Sequence, residues 1–186
     1  MSQEEKARSH GRIVDSAARL ARRAGLDGAS VADVMREAGL THGGFYKHFP
    51  AKEDMLAAAL DHAFDETAQR LGADLVPPEA AARAAAFQAF YLSDLHIGTP
   101  EHGCPIAALG TDIARAGPML KTRFGAGVRR IIALLAKGGA GAEQARQARA
   151  ARSLAMMVGA AVIARASDPE TAAQILAACR PQTKHP

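Results

Sequence analysis

The sequence predicts an all-α protein of about nine helices, and three observations support this prediction. Alanine is abundant, aromatic residues make up only 4% of the chain, and β-branched runs are scarce, so the local preference is for helix. Apolar residues recur at helical spacing through most of the chain. Glycine and proline interrupt that pattern every few turns. We therefore expect no sheet, and 186 residues are too few for two large domains.

Composition and charge bear on the partners and on the cellular location of the protein. The net charge is +4 and the isoelectric point is about 9.4, which suits a polyanionic partner but is also common in ordinary proteins. The two cysteines, Cys104 and Cys179, form neither a metal motif nor a disulfide framework. The start of the chain does not resemble a signal peptide, and the longest apolar run, residues 154–164, is too short to span a membrane. A cytoplasmic location with no membrane partner is expected.

The first forty residues predict two helices. We expect a polar, frayed start through His10, followed by an amphipathic helix that ends at Gly25. Ser30 then offers an N-cap to a short helix, with Asp33 three residues later in the manner of a capping box. Gly39 ends this second helix.

The third helix carries the residues on which the functional prediction depends. It follows Thr41, places Phe45 and Phe49 four residues apart on an apolar side, and ends before Pro50. Two short helices joined by a glycine-containing turn have the geometry that lays the second helix in a DNA major groove. The other side of the helix carries hydrogen-bond donors and no acid: Thr41, His42, Tyr46, Lys47 and His48.

Gly43 and Gly44 are unusual inside a helix, where each costs about 1 kcal/mol relative to alanine. Their presence predicts a close approach of the backbone to another molecule, plausibly DNA. Lys52 opens the following helix and can meet a phosphate. The same spacing also occurs in all-α proteins that bind no DNA, so the pattern alone leaves both interpretations open.

The stretch GLTHGGFYKHFPAKEDML, residues 39–56, resembles the signature of the TetR family of bacterial regulators. The resemblance extends back through Ser30 and the first helix and covers about the first third of the chain. It implies a helix-turn-helix DNA-binding domain in residues 1–52 and a helical ligand-binding and dimerisation domain in residues 53–186. A repressor that binds a palindromic operator as a homodimer, and that a small molecule releases, is the function it implies.

The resemblance also implies individual roles. Ser30 would contact a phosphate, His48 and Lys52 would hold the DNA backbone, and the groove-facing residues would lie between them. The whole implied DNA-binding set is Ser30, Thr41, His42, Gly43, Gly44, Tyr46, Lys47, His48 and Lys52. Three positions depart from the family pattern: Met35 is usually small, Gly44 is usually Thr, Ser or Ala, and Ala51 is usually a capping Ser. The operator sequence is therefore left open.

Six further helices are predicted after Pro50, over residues 52–71, 79–95, 105–116, 120–135, 143–166 and from 169 onward. Apolar residues of the last two exceed what one small core needs, which predicts a dimer interface. A buried helix of a monomer is the alternative interpretation. The predicted interface residues are Leu154, Met157, Val158, Ala161, Val162, Ile175 and Leu176. A two-fold dimer would place its recognition helices about 34 Å apart.

The effector pocket is less clearly indicated. Its candidate lining is Phe64, Phe87, Phe90, Tyr91, Cys104, Phe124 and Met156. A stripe of Phe and Met at helical spacing is more often simply core. Residues 102–106 also resemble a Gly-Cys-Pro element of one branch of the family, in which some members respond to electrophiles or oxidants. A cysteine that opens a helix can be reactive, and the alternative is that Cys104 only packs there.

An enzymatic function is not expected. His96, His102 and Cys104 match no common zinc spacing, and the sequence contains no catalytic triad, phosphate loop or dinucleotide motif. No metal or cofactor is predicted. An architectural DNA-binding protein without an effector is the remaining rival, and it would not need six helices beyond the DNA-binding segment.

Overall fold

A computed structural model describes residues 2–74 and 80–181 of the chain. Within these ranges the protein is all-α, with nine α-helices, two short 3₁₀-helices, one π-helical turn at Arg70–Asp74 and no strand, which confirms the predicted fold class. The α-helices are α1 (Gln3–Gly28), α2 (Val31–Glu37), α3 (Lys52–Gln69), α4 (Ala80–Tyr91), α5 (Asp94–Gly98), α6 (Pro105–Arg115), α7 (Pro118–Ala136), α8 (Glu143–Ala166) and α9 (Pro169–Cys179). The 3₁₀-helices span His42–Lys47 and Pro100–His102.

The start of α1 corrects one expectation. A frayed segment through His10 was predicted, but the helix begins at Gln3. A complete capping box holds it: Ser2 Oγ accepts from the Glu5 N–H at 3.1 Å, and the Ser2 N–H donates to the Glu5 carboxylate at 2.6 Å. This local exchange satisfies donors that would otherwise fray, so the polar composition does not prevent helix formation.

The predicted helix over residues 79–95 is wrong in its extent, because two helices occupy this stretch. α4 ends at Tyr91, and Ser93 caps α5 by accepting from the His96 N–H at 3.2 Å. Pro100–His102, predicted to be loop, forms a 3₁₀ turn. Elsewhere the proline and glycine signals located the helices well: Pro105 opens α6, and Asp168 caps α9 ahead of Pro169.

The chain divides into two compact units, Met1–Asp65 with Pro100–Gly127, and Glu66–Thr99 with Val128–Pro186. In the first unit α1 packs against α2 and α6, and Gly127 lies against the Phe64 ring. A Cβ at Gly127 would meet that ring at 2.3 Å, so only glycine allows the contact. The predicted domain boundary at residue 52 stays a prediction.

In the second unit α8 packs mainly against α9, and arginines tie the helix ends to neighbouring backbone. Arg165 donates to the carbonyls of His96 and Ile97, and Arg180 donates to the Leu92 carbonyl. Such charge-assisted bonds satisfy the carbonyls that α4 and α5 leave open at their C-terminal ends. No helix in the described ranges has the length and apolar character required to cross a bilayer.

Candidate nucleic-acid interface

α2 and the 3₁₀-helix His42–Lys47 form the helix pair that the sequence predicted. Ser30 Oγ accepts from the Asp33 N–H at 3.1 Å and so caps α2. Gly39 has a φ of +66°, in the left-handed region, and the Leu40 N–H donates a hydrogen bond to the Met35 carbonyl at 2.8 Å. This glycine-dependent ending turns the chain sharply and sets the direction of the next helix.

The 3₁₀-helix separates an apolar side from a polar one. Phe45 is 1% exposed and Phe49 is 4% exposed, whereas Tyr46 is 72% exposed. Thr41, His42, Gly43 and Lys47 are exposed as well. The two phenylalanine rings stack 5.8 Å apart, which anchors the segment while its donors point to solvent. The structure thus has buried phenylalanines on one side of the segment and exposed donors on the other, and the contact of these donors with a DNA groove stays a prediction.

The capping of this helix differs from the expectation. Thr41 precedes it, but the Thr41 side chain makes no capping hydrogen bond. The helix is of the tighter 3₁₀ type over its six residues and ends where the His48 N–H donates to the Phe45 carbonyl at 2.8 Å. The Thr41 hydroxyl thus remains at the exposed side, where it can serve an external partner.

Gly44 and Met35, two departures from the family pattern, lie against each other. A Cβ at Gly44 would stand 3.6 Å from Met35 Cε, and Met35 is 1% exposed. This separation is an ordinary van der Waals distance, so the Met35 side chain would touch an alanine at position 44 without excluding it. A Cβ at Gly43 would meet nothing within 4 Å. Packing therefore requires glycine at neither position.

The N-terminal turns of α1 join the site, which the sequence interpretation missed. The His10 ring stacks on Phe49 at 4.6 Å and lies 6.1 Å from the His48 ring. Burial, and then the nearby charges of His10, Lys6 and Lys47, lower the pKa of His48. The lowered pKa favours the neutral imidazole, which can meet a phosphate through a hydrogen bond. The signal that could have located α1 here is its capping box.

At the start of α3, Lys52 is half-buried and Ala51 stands where the family has a capping serine. The Ala51 N–H donates to Asp54 Oδ2 at 3.0 Å, so half of a capping box is present without the serine. The absence of a hydroxyl therefore leaves α3 with its acidic first turn as the main support.

The acidic side chains near the 3₁₀-helix form ion pairs with arginines. Glu37 accepts from Arg19 at 3.2 Å and lies 3.7 Å from Arg23, and Asp33 pairs with Arg36. Hydrogen bonds from Ser30 and Arg36 lower the pKa of Asp33. Because these carboxylates are compensated, the exposed face of the 3₁₀-helix keeps its positive character.

The Ser30 hydroxyl, which is predicted to contact a phosphate, already makes two hydrogen bonds within the protein. Besides capping α2, it donates to Asp33 Oδ2 at 2.6 Å. A phosphate contact through this hydroxyl would have to replace that bond. The DNA contacts of all nine residues remain predictions.

The predicted effector-pocket residues fall into separate groups. In the first unit Phe64 packs edge-on against Phe124 at 5.8 Å, and in the second Phe87 lies 5.6 Å from Tyr91. Phe90 is half-buried, and Met156 is 37% exposed. None of the predicted lining residues borders the small cavity beside Leu60 and Leu109 or the larger cleft beside Ala84 and Arg149. Their part in effector binding stays a prediction.

Cys104 is 3% exposed and immediately precedes α6, whose first residue is Pro105. Its side chain makes no capping hydrogen bond, and the chain has no disulfide. The carbonyl of the preceding residue, Gly103, accepts from Arg22 at 3.0 Å. The thiol is thus held at a helix N-terminus but is shielded from bulk solvent.

The predicted dimer residues differ in burial. Leu154, Met157, Ala161 and Leu176 are buried within the unit, whereas Val162 is 39% exposed and Val158 and Ile175 are half-buried. Two exposed residues of α8 that the prediction did not include lie beside Val162 on its surface. These are Met156 and Ile163, which is 44% exposed. Gly159 lies between them with open space around its Cα.

Comparison with known protein families gives a match within the first third of the chain. Residues 13–59 match the profile described as bacterial regulatory proteins, tetR family. This span includes α2, the 3₁₀-helix and the start of α3. Comparison with curated proteins gives no match.

Solved structures resemble the chain over nearly its whole length. A TetR transcriptional regulator from Chloroflexus aurantiacus is 28% identical, with a TM-score of 0.73 over 95% of this chain and 92% of that one. A TetR-family regulator from Cytophaga hutchinsonii is 20% identical, with a TM-score of 0.73 over 98% and 100%. The reduced form of Escherichia coli NemR is 21% identical, with a TM-score of 0.75 over 92% and 95%.

Proposed function

We propose that this chain is a transcriptional regulator of the TetR family, as the match of residues 13–59 and the similar solved structures support. In this proposal it is a repressor that binds a palindromic operator as a homodimer and is released by a small molecule. The observation that carries the DNA-binding part is the exposed side of the 3₁₀-helix. His42, Tyr46 and Lys47 are exposed there, and Phe45 beneath them is fixed in the core. An apolar anchor fixed in the core holds the backbone of these exposed donors in place, which favours contact with base edges. Such a regulator acts in the cytoplasm, where the chromosome lies.

The homodimer rests on the exposed apolar side chains of α8. Met156, Val162 and Ile163 lie within two turns of one another, and Gly159 would let a second helix approach closely. A two-fold axis through this surface makes the interface self-complementary and presents two 3₁₀-helices to DNA. We expect the half-sites to be centred about one DNA turn, roughly 34 Å, apart.

Release requires that the effector bind one dimer conformation better than the other. The small molecule changes DNA affinity only through this difference, so it must favour a dimer whose 3₁₀-helices no longer fit consecutive grooves.

The test of DNA binding is fluorescence anisotropy with DNA from the region upstream of the gene, followed by selection from random DNA if no fragment binds. We expect the double variant His42→Ala, Tyr46→Ala to lose sequence-selective binding. The control His102→Ala, which removes an exposed histidine outside the helix pair, should bind as the parent does. Lys47→Gln should weaken binding to all sequences and reduce the salt slope by about 1. A folded protein that selects no sequence from random DNA would contradict the proposal.

Electrophile or redox sensing through Cys104 is a second candidate. Cys104 lies at the N-terminus of α6, a position where cysteines can be reactive, and one of the similar solved structures is described as the reduced form of Escherichia coli NemR. Thiol alkylation of the parent and of Cys104→Ser, each followed by the anisotropy measurement, tests it. Loss of DNA binding in the parent but not in Cys104→Ser supports sensing, and unchanged binding in both assigns Cys104 to packing.

A further inference from the structure

An open cleft of about 770 Å³ lies in the second unit between α4, the end of α7 and the first turns of α8. Small and apolar residues form most of its wall, including Ala84, Leu135 and Ala150. The turn at residues 138–141 closes one side, and two arginines and Ser153 of α8 complete it. The volume falls within the range of small-molecule sites, about 300–1,000 Å³.

The two arginines, Arg146 and Arg149, lie on one face of α8 because they are three residues apart. Arg146 donates to the Gly141 carbonyl and Arg149 to the Ala140 carbonyl. Both acceptors are neutral. Among the described residues, no carboxylate forms an ion pair with either guanidinium, and Glu143, which opens the helix, accepts from Gln147. The cleft thus contains two positive charges that no acid of residues 2–74 or 80–181 compensates through an ion pair.

Arg146 also has one nitrogen donor, Nε, that is not used in a hydrogen bond. Its Nε is buried and makes no hydrogen bond, and an unsatisfied buried donor carries a free-energy cost that an external acceptor would remove. Gly139 leaves room for this side chain, since a Cβ there would stand only 3.3 Å from Arg146 Cδ. The bond to the Gly141 carbonyl positions the guanidinium before any ligand arrives.

We propose that this cleft binds an organic carboxylate with an apolar body, with the carboxylate between Arg146 and Arg149 and the body against Ala84 and Leu135. Guanidinium groups match a carboxylate with paired, charge-assisted hydrogen bonds, and the apolar wall contributes by excluding water. The assignment deepens the proposed function by naming the chemical class of the effector. It rests on that function only for the step from binding to DNA release.

The test is isothermal titration calorimetry of the full chain with decanoate. Acetate, which lacks the apolar body, and decanol, which lacks the charge, are the matched ligands. We expect decanoate to bind at least tenfold more tightly than either. Arg149→Gln should weaken decanoate binding at least tenfold, and Arg152→Gln, a control on an exposed arginine of the same helix outside the cleft, should leave it unchanged.

A second variant keeps both charges and fills the space: Ala84→Leu should also abolish decanoate binding. Circular dichroism melting of each variant separates loss of the site from loss of the fold. Equal binding of decanoate and acetate would overturn the proposal, as would binding that survives both Arg149→Gln and Ala84→Leu. The anisotropy measurement with saturating decanoate is scored separately, because binding without any change in DNA affinity keeps the site and refutes only its effector role.

Discussion

Gly43 and Gly44 stand side by side in the 3₁₀-helix but differ in their surroundings. A Cβ at Gly44 would touch the buried Met35 side chain at 3.6 Å, whereas a Cβ at Gly43 would meet nothing within 4 Å. Neither glycine has a positive φ, so backbone strain does not require glycine at either position. Gly43 is thus the better candidate for a close approach to DNA.

Replacing Gly43 by alanine tests this assignment. The methyl group meets nothing within 4 Å, so we expect Gly43→Ala to raise the free energy of unfolding by roughly 0.5–1 kcal/mol through a less flexible unfolded chain. We also expect it to weaken operator binding. Urea unfolding and anisotropy measure the two effects. A gain in stability with unchanged DNA affinity would remove the close approach as the reason for this glycine.

His96 predicts a pH dependence of stability. It is 2% exposed and its ring lies 4.4 Å from Tyr91; burial, and then the charge of Arg165, lower its pKa to about 4. Between pH 4 and pH 6.5 the His96 imidazole is protonated in the unfolded chain but neutral in the folded chain. The free energy of unfolding therefore rises with pH across this window. The contribution is complete above pH 6.5 and is lost as pH falls toward 4. Its upper limit is about 3 kcal/mol.

Urea unfolding at pH 5 and pH 7 measures this dependence. His96→Gln should show a smaller loss of stability on acidification than the parent, and His42→Gln, which changes an exposed histidine, should lose as much as the parent does. Equal losses in all three proteins would show that His96 does not carry the dependence.

At the scale of the element, the kink at Gly25 separates α1 into two parts. Its φ is +78, and a Cβ there would meet Asp112 Oδ2 at 2.7 Å. The same carboxylate accepts from the Leu26 N–H at 3.1 Å, so α6 holds the kink in place. The sequence predicted a helix end at Gly25, and this local prediction matches the kink although helical turns resume after it.

The two glycines of α1 form a matched pair for measurement. Gly25→Ala should lower the free energy of unfolding by more than 1 kcal/mol, because both the left-handed φ and the contact with Asp112 oppose a side chain. Gly11→Ala should raise it by up to about 1 kcal/mol, since its Cβ meets nothing within 4 Å. Thermal or urea unfolding of both variants checks the contrast, and two changes of the same sign would contradict it.

At the scale of the whole molecule, the exposed apolar surface of α8 predicts the oligomeric state. Ile163→Asp places a charge in that surface and should convert a dimer to a monomer and reduce operator affinity at least tenfold. Size-exclusion chromatography with light scattering measures the mass. Leu95→Asp is the control, because Leu95 is an equally apolar residue, 69% exposed, on α5. A dimer that persists in Ile163→Asp would place the interface elsewhere.

The sequence by itself determined the helices and the exposed donors of the DNA-binding segment. Ser30, Gly39, Pro105 and Asp168 each act on backbone groups within a few residues, so their effect can be predicted without knowing the fold. Where local signals were incomplete, as at the α4–α5 boundary, the extent of the helix was wrong.

Only the tertiary structure decided which apolar residues face inward. Leu154 and Met157 are buried while Met156 and Ile163 on the same helix are exposed, and helical spacing separates these two faces without showing which of them other segments cover. The cleft beside Arg146 was invisible for the same reason. Periodicity identifies the faces of a helix, but what covers each face depends on segments far away in the sequence.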